Sequence, residues 1–253
     1  MVFAPVRQKR IAAEIVGQIK AALLSGRFKP GERLPTEREL THRFHVSRVV
    51  VREALRELEI TGHVRILQGP NGGAYVTGGS TDPIQRAFLD MFRYGKLSVA
   101  ELIRSRRIIE CETAREAARR IRSRAARRLE AALAAERQDH GTHADVVSSR
   151  IEIHRILARE SGNRLLEVLA SALLGLTAEV ILVVKPPQQV IHRPEEHAAI
   201  VQAVVSGDPE SAAEAMARHL ERMGRRIARL EGAYRRKMAR AASSGSAVPP
   251  EVA

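Results

Sequence analysis

The sequence predicts a mainly α-helical protein with one small β-hairpin near its N-terminus. Apolar residues recur every three or four positions through most of the chain, which is the period of an amphipathic helix. Alternation with period two is never sustained, and a glycine-rich stretch at residues 72–79 separates a short first segment from a long second one. These observations predict two domains, of which the second is an all-α helical bundle.

The composition narrows the class of protein. Of the 253 residues 44% are hydrophobic, which is enough for a globular core and excludes a disordered chain. Lys and Arg number 42 against 29 acidic residues, a net charge of +13 that favours a polyanionic partner. The single cysteine, Cys111, cannot form an intrachain disulfide and favours the cytoplasm. The longest apolar run, near residues 180–184, is short for a membrane span, so no membrane partner is predicted.

Three helices are predicted in the first segment. The first covers residues 8–25, where an apolar stripe at helical spacing is formed by Ile11, Ile15, Ile19 and Leu23. Thr36 and Glu39 have the spacing of a capping box, which predicts that a second, short helix begins there. Ser47 can cap a third helix over residues 47–60.

The third helix is followed by two β-prone runs, residues 64–67 and 74–76, which predict a hairpin. Two short helices joined by a tight turn, the second with a basic N-terminal face, have the arrangement that enters a major groove. Arg48, Arg52 and Arg56 form that face. Residues 1–79 are therefore predicted to be a winged helix-turn-helix, although arginines spaced by four also occur on ordinary solvated helices.

The segment from Ser25 to Leu40, with Val46-Ser47-Arg48 and the run Val51 to Leu58, resembles the N-terminal domain of GntR-family bacterial transcription regulators. The resemblance covers about residues 10–78. It implies operator contacts by Arg38, Ser47, Arg48 and Arg52, and by Gln68 and Gly69 of the wing. We expect Arg48 or Arg52 to read a guanine edge, and Arg38 and Ser47 to hold phosphates.

The remaining chain is predicted to be almost entirely helical. Residues 80–97 form a linker with a connecting helix, residues 98–234 form the bundle, and residues 235–253 form a basic, disordered tail. Helices are predicted near residues 82–94, 98–120, 123–140, 145–160, 163–184, 190–206 and 209–232.

Three histidines lie on or beside the apolar stripes of three different predicted helices: His154, His197 and His219. Imidazoles that converge inside a bundle can bind Zn, Ni or Cu. The alternative is three core histidines, each satisfied by its own hydrogen bonds.

The sequence around these histidines, including Ile153 to Leu157 and Glu196 to Ile200, resembles the FCD effector domain of the FadR subfamily of GntR regulators. The resemblance covers about residues 95–225. It implies a divalent metal held by one aspartate and three histidines, with a small carboxylate sensed beside it. It also implies that Arg106 faces the effector pocket, where a guanidinium can bind a carboxylate; a solvated surface position is the alternative.

Arg150 stands where the resemblance implies the aspartate ligand, on the same helix face as His154. Two alternatives follow. In one, His154, His197 and His219 hold Zn or Ni, and the effector or water completes the coordination shell. In the other, no metal binds, and Arg150 itself captures an organic anion as part of the effector site.

The predicted function is a homodimeric transcription regulator, in the commoner case a repressor, located in the cytoplasm and on the nucleoid. It binds a palindromic operator in double-stranded DNA and is released by a small carboxylate metabolite. The chain lacks familiar catalytic motifs, so it is predicted not to be an enzyme. A nonspecific nucleoid-type DNA-binding protein and a metal-dependent hydrolase are the alternatives.

Overall fold

The computed structural model describes residues 8–138, 142–187 and 194–243. These residues contain eleven helices and one two-stranded sheet, which confirms the mainly α prediction. Backbone contacts divide the chain into two compact units, Met1–Ile84 and Gln85–Ala253. The predicted boundary at residue 79 lies a few residues before this division.

The first unit has the element order of a winged helix-turn-helix. Its elements are α1 (Gln8–Leu24), α2 (Glu37–Phe44), α3 (Arg48–Ile60), β1 (Val64–Leu67) and β2 (Gly73–Val76). The strands are antiparallel, with Val64 opposite Val76. Their apolar residues complete a core that α1, α2 and α3 share.

Local chemistry explains where the short helices begin. The Thr36 hydroxyl accepts from the Glu39 amide at 3.3 Å, and the Glu39 carboxylate accepts from the Thr36 amide at 2.8 Å, so the predicted capping box is formed. Ser47 caps α3 as predicted. One position of the predicted α1 stripe is wrong, since Ile11 is 43% exposed while Ala12 is buried.

The second unit is a bundle in which α5 packs along α10 and α7 packs on α6 and α8. Parts of two predicted helices, residues 139–140 and 190–193, lie outside the described residues. The helices are α4 (Asp82–Arg93), α5 (Val99–Arg120), α6 (Ser123–Glu136), α7 (His143–Glu160), α8 (Arg164–Val184), α9 (Pro194–Val205), α10 (Pro209–Ala228) and α11 (Glu231–Ser243).

Helix α8 is more apolar than the sequence analysis recognised. An 18-residue window has a mean hydropathy of 2.0, so the helix is long and apolar enough to cross a membrane by length and composition alone. The prediction that no apolar run approaches this length was wrong. Half of the window is buried inside the protein, where α8 packs against α5 and α7, as in the central helix of a bundle.

The predicted disorder from residue 235 onward is wrong as far as the chain is described, because α11 extends to Ser243. Leu230, Tyr234 and Met238 repeat at a spacing of four and pack against the bundle core. Tyr234 is fully buried, and its ring centroid lies 5.2 Å from that of Phe92. The last ten residues of the predicted tail, 244–253, lie outside the described residues.

Candidate functional site

Helix α3 presents a basic face to solvent. Arg48 and Arg52 are exposed, while the opposite face buries Val51 and Leu55 against the core. The Ser47 hydroxyl accepts from the Val50 amide at 3.5 Å, which leaves its own hydrogen free to donate to a further group. The helix N-terminus and its arginines together form a surface suited to anions.

Arg52 is tethered to the preceding helix. Its Nε donates to Glu37 Oε2 at 2.8 Å, and the two side chains are 65% and 40% exposed. An ion pair this exposed contributes little to the free energy of unfolding. Its consequence is geometric, because in the structure it orients the Arg52 guanidinium toward Glu37 on α2. Glu37 was not among the predicted site residues, although it immediately precedes Arg38 in the matched motif.

The wing lies next to this arginine. Gln68 and Gly69 are exposed in the turn between the strands, and the Ile66 amide anchors β1 to α3 by donating to Glu59 Oε1 at 2.7 Å. Residues of α3 and the wing line one surface groove of ≈ 410 Å³. Arg38 and Arg48 are exposed but lie outside this groove. The groove is lined by Glu37, Arg52, Leu55, Arg56, Glu59, Ile66 and Gln68.

In the second unit the three predicted histidines converge. His154 on α7, His197 on α9 and His219 on α10 are all buried. The Nε2 atoms of His154 and His197 are 3.2 Å apart, and those of His197 and His219 are 3.3 Å apart. Their ligand atoms all lie within 4.8 Å of one another. The three histidines therefore form one buried cluster rather than lying apart in the core.

The Nδ1 atom of each imidazole is hydrogen-bonded to a carboxylate on another helix, at a distance of 2.5 to 3.1 Å. An ionised carboxylate only accepts, so each Nδ1 carries the proton and each Nε2 turns a lone pair toward the other two. The pairs are His154 with Glu110, His197 with Glu136, and His219 with Glu196.

Burial sets the charge states of this cluster. It lowers the pKa of His154, and it lowers that of His219 to about 3 against the opposing effect of Glu196. Burial alone would raise the pKa of Glu110, but Arg106 and then His154 outweigh it and lower the pKa well below its usual range. At neutral pH the imidazoles of His154 and His219 are therefore neutral, and the Glu110 carboxylate is ionised.

Three lone pairs at these separations repel one another unless a cation lies between them. Two nitrogens each ~2.0–2.1 Å from a tetrahedral Zn²⁺ lie about 3.3 Å apart, which matches the Nε2–Nε2 separations of 3.2 and 3.3 Å. Carboxylates on the far ring nitrogens are the usual support for histidine ligands. The residues present therefore fit a divalent metal such as Zn or Ni.

Arg106 lines the cavity beside the histidines and is only 1% exposed, so the surface alternative is wrong. Its guanidinium binds the Glu110 carboxylate through two nitrogens, and its Nη1 donates to Thr177 Oγ1 at 3.0 Å. Because these donors already have partners, Arg106 orients Glu110 and through it His154.

Arg150 lines the same cavity and differs from Arg106 in having an unused donor. Its Nη1 is buried and has no hydrogen-bond partner among the described residues. Burial lowers the pKa of Arg150 to about 10, against the opposing effect of Glu136. The cavity contains ≈ 50 Å³ of solvent-accessible space, and no described carboxylate lines it. Its free polar groups are thus one guanidinium nitrogen and the three converging imidazoles.

The three carboxylates that contact the histidines were not among the predicted site residues. Glu196 directly precedes His197, and Glu110 lies four residues after Arg106 on the same helix, so both carried a local signal. No local pattern in the sequence indicated Glu136. It lies 61 residues from His197 and contacts it only because α6 packs against α9.

Comparisons with known proteins agree with this architecture. Residues 11–76 match the family described as bacterial regulatory proteins, gntR family, and residues 101–222 match the FCD domain. A curated relative from Cronobacter sakazakii, named HTH-type transcriptional repressor NanR, is 31% identical over 222 residues, 85% of each chain. Another, from Bacillus subtilis and named uncharacterized HTH-type transcriptional regulator YcbG, is 30% identical over 85% of this chain and 89% of its own.

Among solved structures, one titled Streptococcus agalactiae GntR has a TM-score of 0.55 and 24% identity, covering 85% of this chain and 99% of its own, which supports the fold. The two family matches divide between the winged helix-turn-helix and the bundle that holds the histidine cluster. The chain therefore belongs to the GntR family of bacterial transcription regulators and is a DNA-binding regulator with an FCD effector domain.

Proposed function

We propose that this regulator is a repressor that binds a palindromic operator as a homodimer and is released when a small organic anion enters the effector cavity. The observation that carries the effector assignment is the buried, unpartnered Nη1 of Arg150 in the cavity wall. A buried guanidinium nitrogen without a hydrogen-bond partner is costly, and a carboxylate would supply a charge-assisted hydrogen bond there.

The histidine cluster would hold a divalent metal beside this anion. His154, His197 and His219 supply three nitrogen ligands, and the carboxylates hydrogen-bonded to their Nδ1 atoms orient them. When bound, the ion would supply positive charge and an open coordination position. An anion between the metal ion and Arg150 would offset the positive charge of both. The metal ion and the anion would therefore each strengthen binding of the other.

The effector assignment is tested by a thermal-shift screen of small mono- and dicarboxylates. A ligand at about 100 times its Kd should stabilise the protein by about 2.7 kcal/mol. Arg150→Gln should abolish this shift, because glutamine keeps a polar side chain but removes the charge. Arg155→Gln, on the same helix but outside the cavity lining, is the control and should respond as the unsubstituted protein does. An undiminished shift in Arg150→Gln would remove that residue from the site.

On the DNA side, we assign Arg48 and Arg52 to base edges, Arg38 and Ser47 to phosphates, and Gln68 and Gly69 to the wing contact. The exposure of all six residues supports this assignment. A two-fold dimer presents two recognition helices, so the operator should consist of two inverted half-sites. The regulator would act on the nucleoid in the cytoplasm, and binding and release involve no catalytic step.

Arg52→Ala should weaken operator binding by about 1–3 kcal/mol and relax the preference at one base position, because a bidentate guanine contact is lost. Footprinting of promoter fragments finds the operator, and fluorescence anisotropy on matched and mismatched duplexes measures the effect. Arg124→Ala, an exposed arginine on α6, removes the same charge from the second unit and is the control. Equal affinities for Arg52→Ala and Arg124→Ala would contradict the assignment, and protection of random DNA would favour the nonspecific binder.

A further inference from the structure

Helix α11, which follows the residues matched to the FCD domain, holds the ends of three other helices. Lys237 Nζ donates to the carbonyls of Val183 and Val184 at the end of α8, at 3.0 and 3.1 Å. The Glu231 carboxylate accepts from the Val99 amide at the start of α5, at 3.3 Å. These contacts occupy backbone groups that helix ends leave unpaired.

The third of these ends belongs to α4. Arg235 donates to the carbonyl of Phe92 and, at 2.7 Å, to that of Leu97. Its guanidinium also lies over the Phe92 ring, 4.7 Å from the centroid. The last turn of α4 is thus bound to α11 by a charge-assisted hydrogen bond to the Phe92 carbonyl and by a contact with the Phe92 ring, and the Leu97 carbonyl just beyond α4 is bound as well.

A partly buried ion pair joins α4 to α8, and a residue of α11 contacts it. Arg93, the last residue of α4, donates through Nε to Glu179 Oε1 on α8 at 2.9 Å, and Glu179 is 3% exposed. The Tyr234 hydroxyl on α11 donates to the same oxygen at 3.5 Å. Burial raises the pKa of Tyr234 to about 12, so its hydroxyl remains protonated and available as the donor.

The opposite face of α8 forms part of the effector cavity. Thr177, Ala178 and Ile181 line it, and Thr177 accepts from the buried Arg106. Glu179 lies two residues beyond Thr177, which at 100° per residue places it on the far side of the helix. A displacement of α8 at the cavity therefore moves Glu179 against Arg93, and close-packed side chains transmit such a shift.

We propose that α11 and the cluster of Arg93, Glu179 and Tyr234 form a link that passes displacements of α8 at the cavity to α4. Helix α4 begins at Asp82 and is the segment by which the chain enters the second unit from the DNA-binding unit. The inference rests on the proposed function, because it takes the cavity to be the effector site. It assigns the coupling between the effector site and the DNA-binding unit to residues that contact neither the effector nor the operator DNA.

The test perturbs the cavity without an effector. Val147 on α7 lines the cavity and is 2% exposed, so Val147→Leu fills part of the ≈ 50 Å³ space from α7, which packs against α8. Hydrogen–deuterium exchange of the full chain is then followed in the peptide of residues 85–97, which contains the last turns of α4. We expect Val147→Leu to change this exchange about fivefold or more, the lower end of ordinary allosteric couplings.

Glu179→Gln cuts the ion pair with little change of shape and should remove this response to Val147→Leu. Tyr234→Phe, which deletes only one hydroxyl, should reduce the response and decides the outcome if Glu179→Gln fails to fold. The matched control is Glu221→Gln, which breaks an exposed pair with Arg225 on α10 and should retain the full response.

The proposal is overturned if Val147→Leu leaves the exchange of α4 unchanged, or if the response survives in both Glu179→Gln and Tyr234→Phe. Equilibrium dialysis with Zn²⁺ alone is run on the same proteins. Absence of zinc uptake would contradict the metal part of the proposed function, whereas the exchange result is obtained without any ligand, so the two failures are distinguishable.

Discussion

Replacing Glu110 by glutamine is expected to lower the free energy of unfolding by about 3–5 kcal/mol, because it leaves the Arg106 cation buried without its counterion. Arg106 and Glu110 are each 1% exposed, and the same carboxylate orients His154. Urea denaturation followed by far-UV circular dichroism measures the change.

The control is Glu112→Gln, two residues along α5. Glu112 pairs with Arg115, but its side chain is 44% exposed, so this change should cost less than about 1 kcal/mol. Equal losses in Glu110→Gln and Glu112→Gln would show that the buried pair contributes no more than a surface pair does.

His197→Ala should reduce zinc affinity at least about 100-fold. Loss of a residue that hydrogen-bonds to a metal ligand already lowers metal affinity by up to about 100-fold, and loss of the ligand itself should lower it no less. His197 is central to the cluster, with its Nε2 close to those of both other histidines. Elemental analysis of protein purified without a histidine tag should find about one equivalent of metal before the substitution and little after it. Operator affinity in the absence of effector should be unchanged.

His143→Ala is the matched histidine control, because His143 contacts the Pro186 carbonyl outside the cluster. It should retain the metal. If the unsubstituted protein holds well below one equivalent and takes up none on titration with Zn²⁺ or Ni²⁺, the metal assignment is wrong. The anion would then bind through Arg150 alone.

Features with a local cause were predictable from the sequence. The capping box of Thr36 and Glu39 and the cap at Ser47 depend on residues three positions apart, and both form at the predicted places. The convergence of the histidines was predictable because each shares an apolar stripe with residues that must enter a common core.

Features that depend on packing between distant segments were not predictable. The pairing of Glu136 with His197 depends on how α6 lies against α9. Helix α11 was missed because its many arginines concealed the stripe of Leu230, Tyr234 and Met238. Arg106 was expected to offer its guanidinium to an effector, but Glu110, four residues later, occupies it.

The Glu37–Arg52 tether affects the thermodynamics of operator recognition. A free arginine loses rotamer entropy when a base edge immobilises it, at a cost of about 0.5–1.5 kcal/mol. Arg52 is already restrained in the unbound protein by its 2.8 Å bond to Glu37, so part of that loss occurs during folding. Glu37→Ala should therefore bind the operator with a less favourable entropy of association, while the loss of a negative charge from a surface that meets phosphates acts in the opposite direction on the affinity.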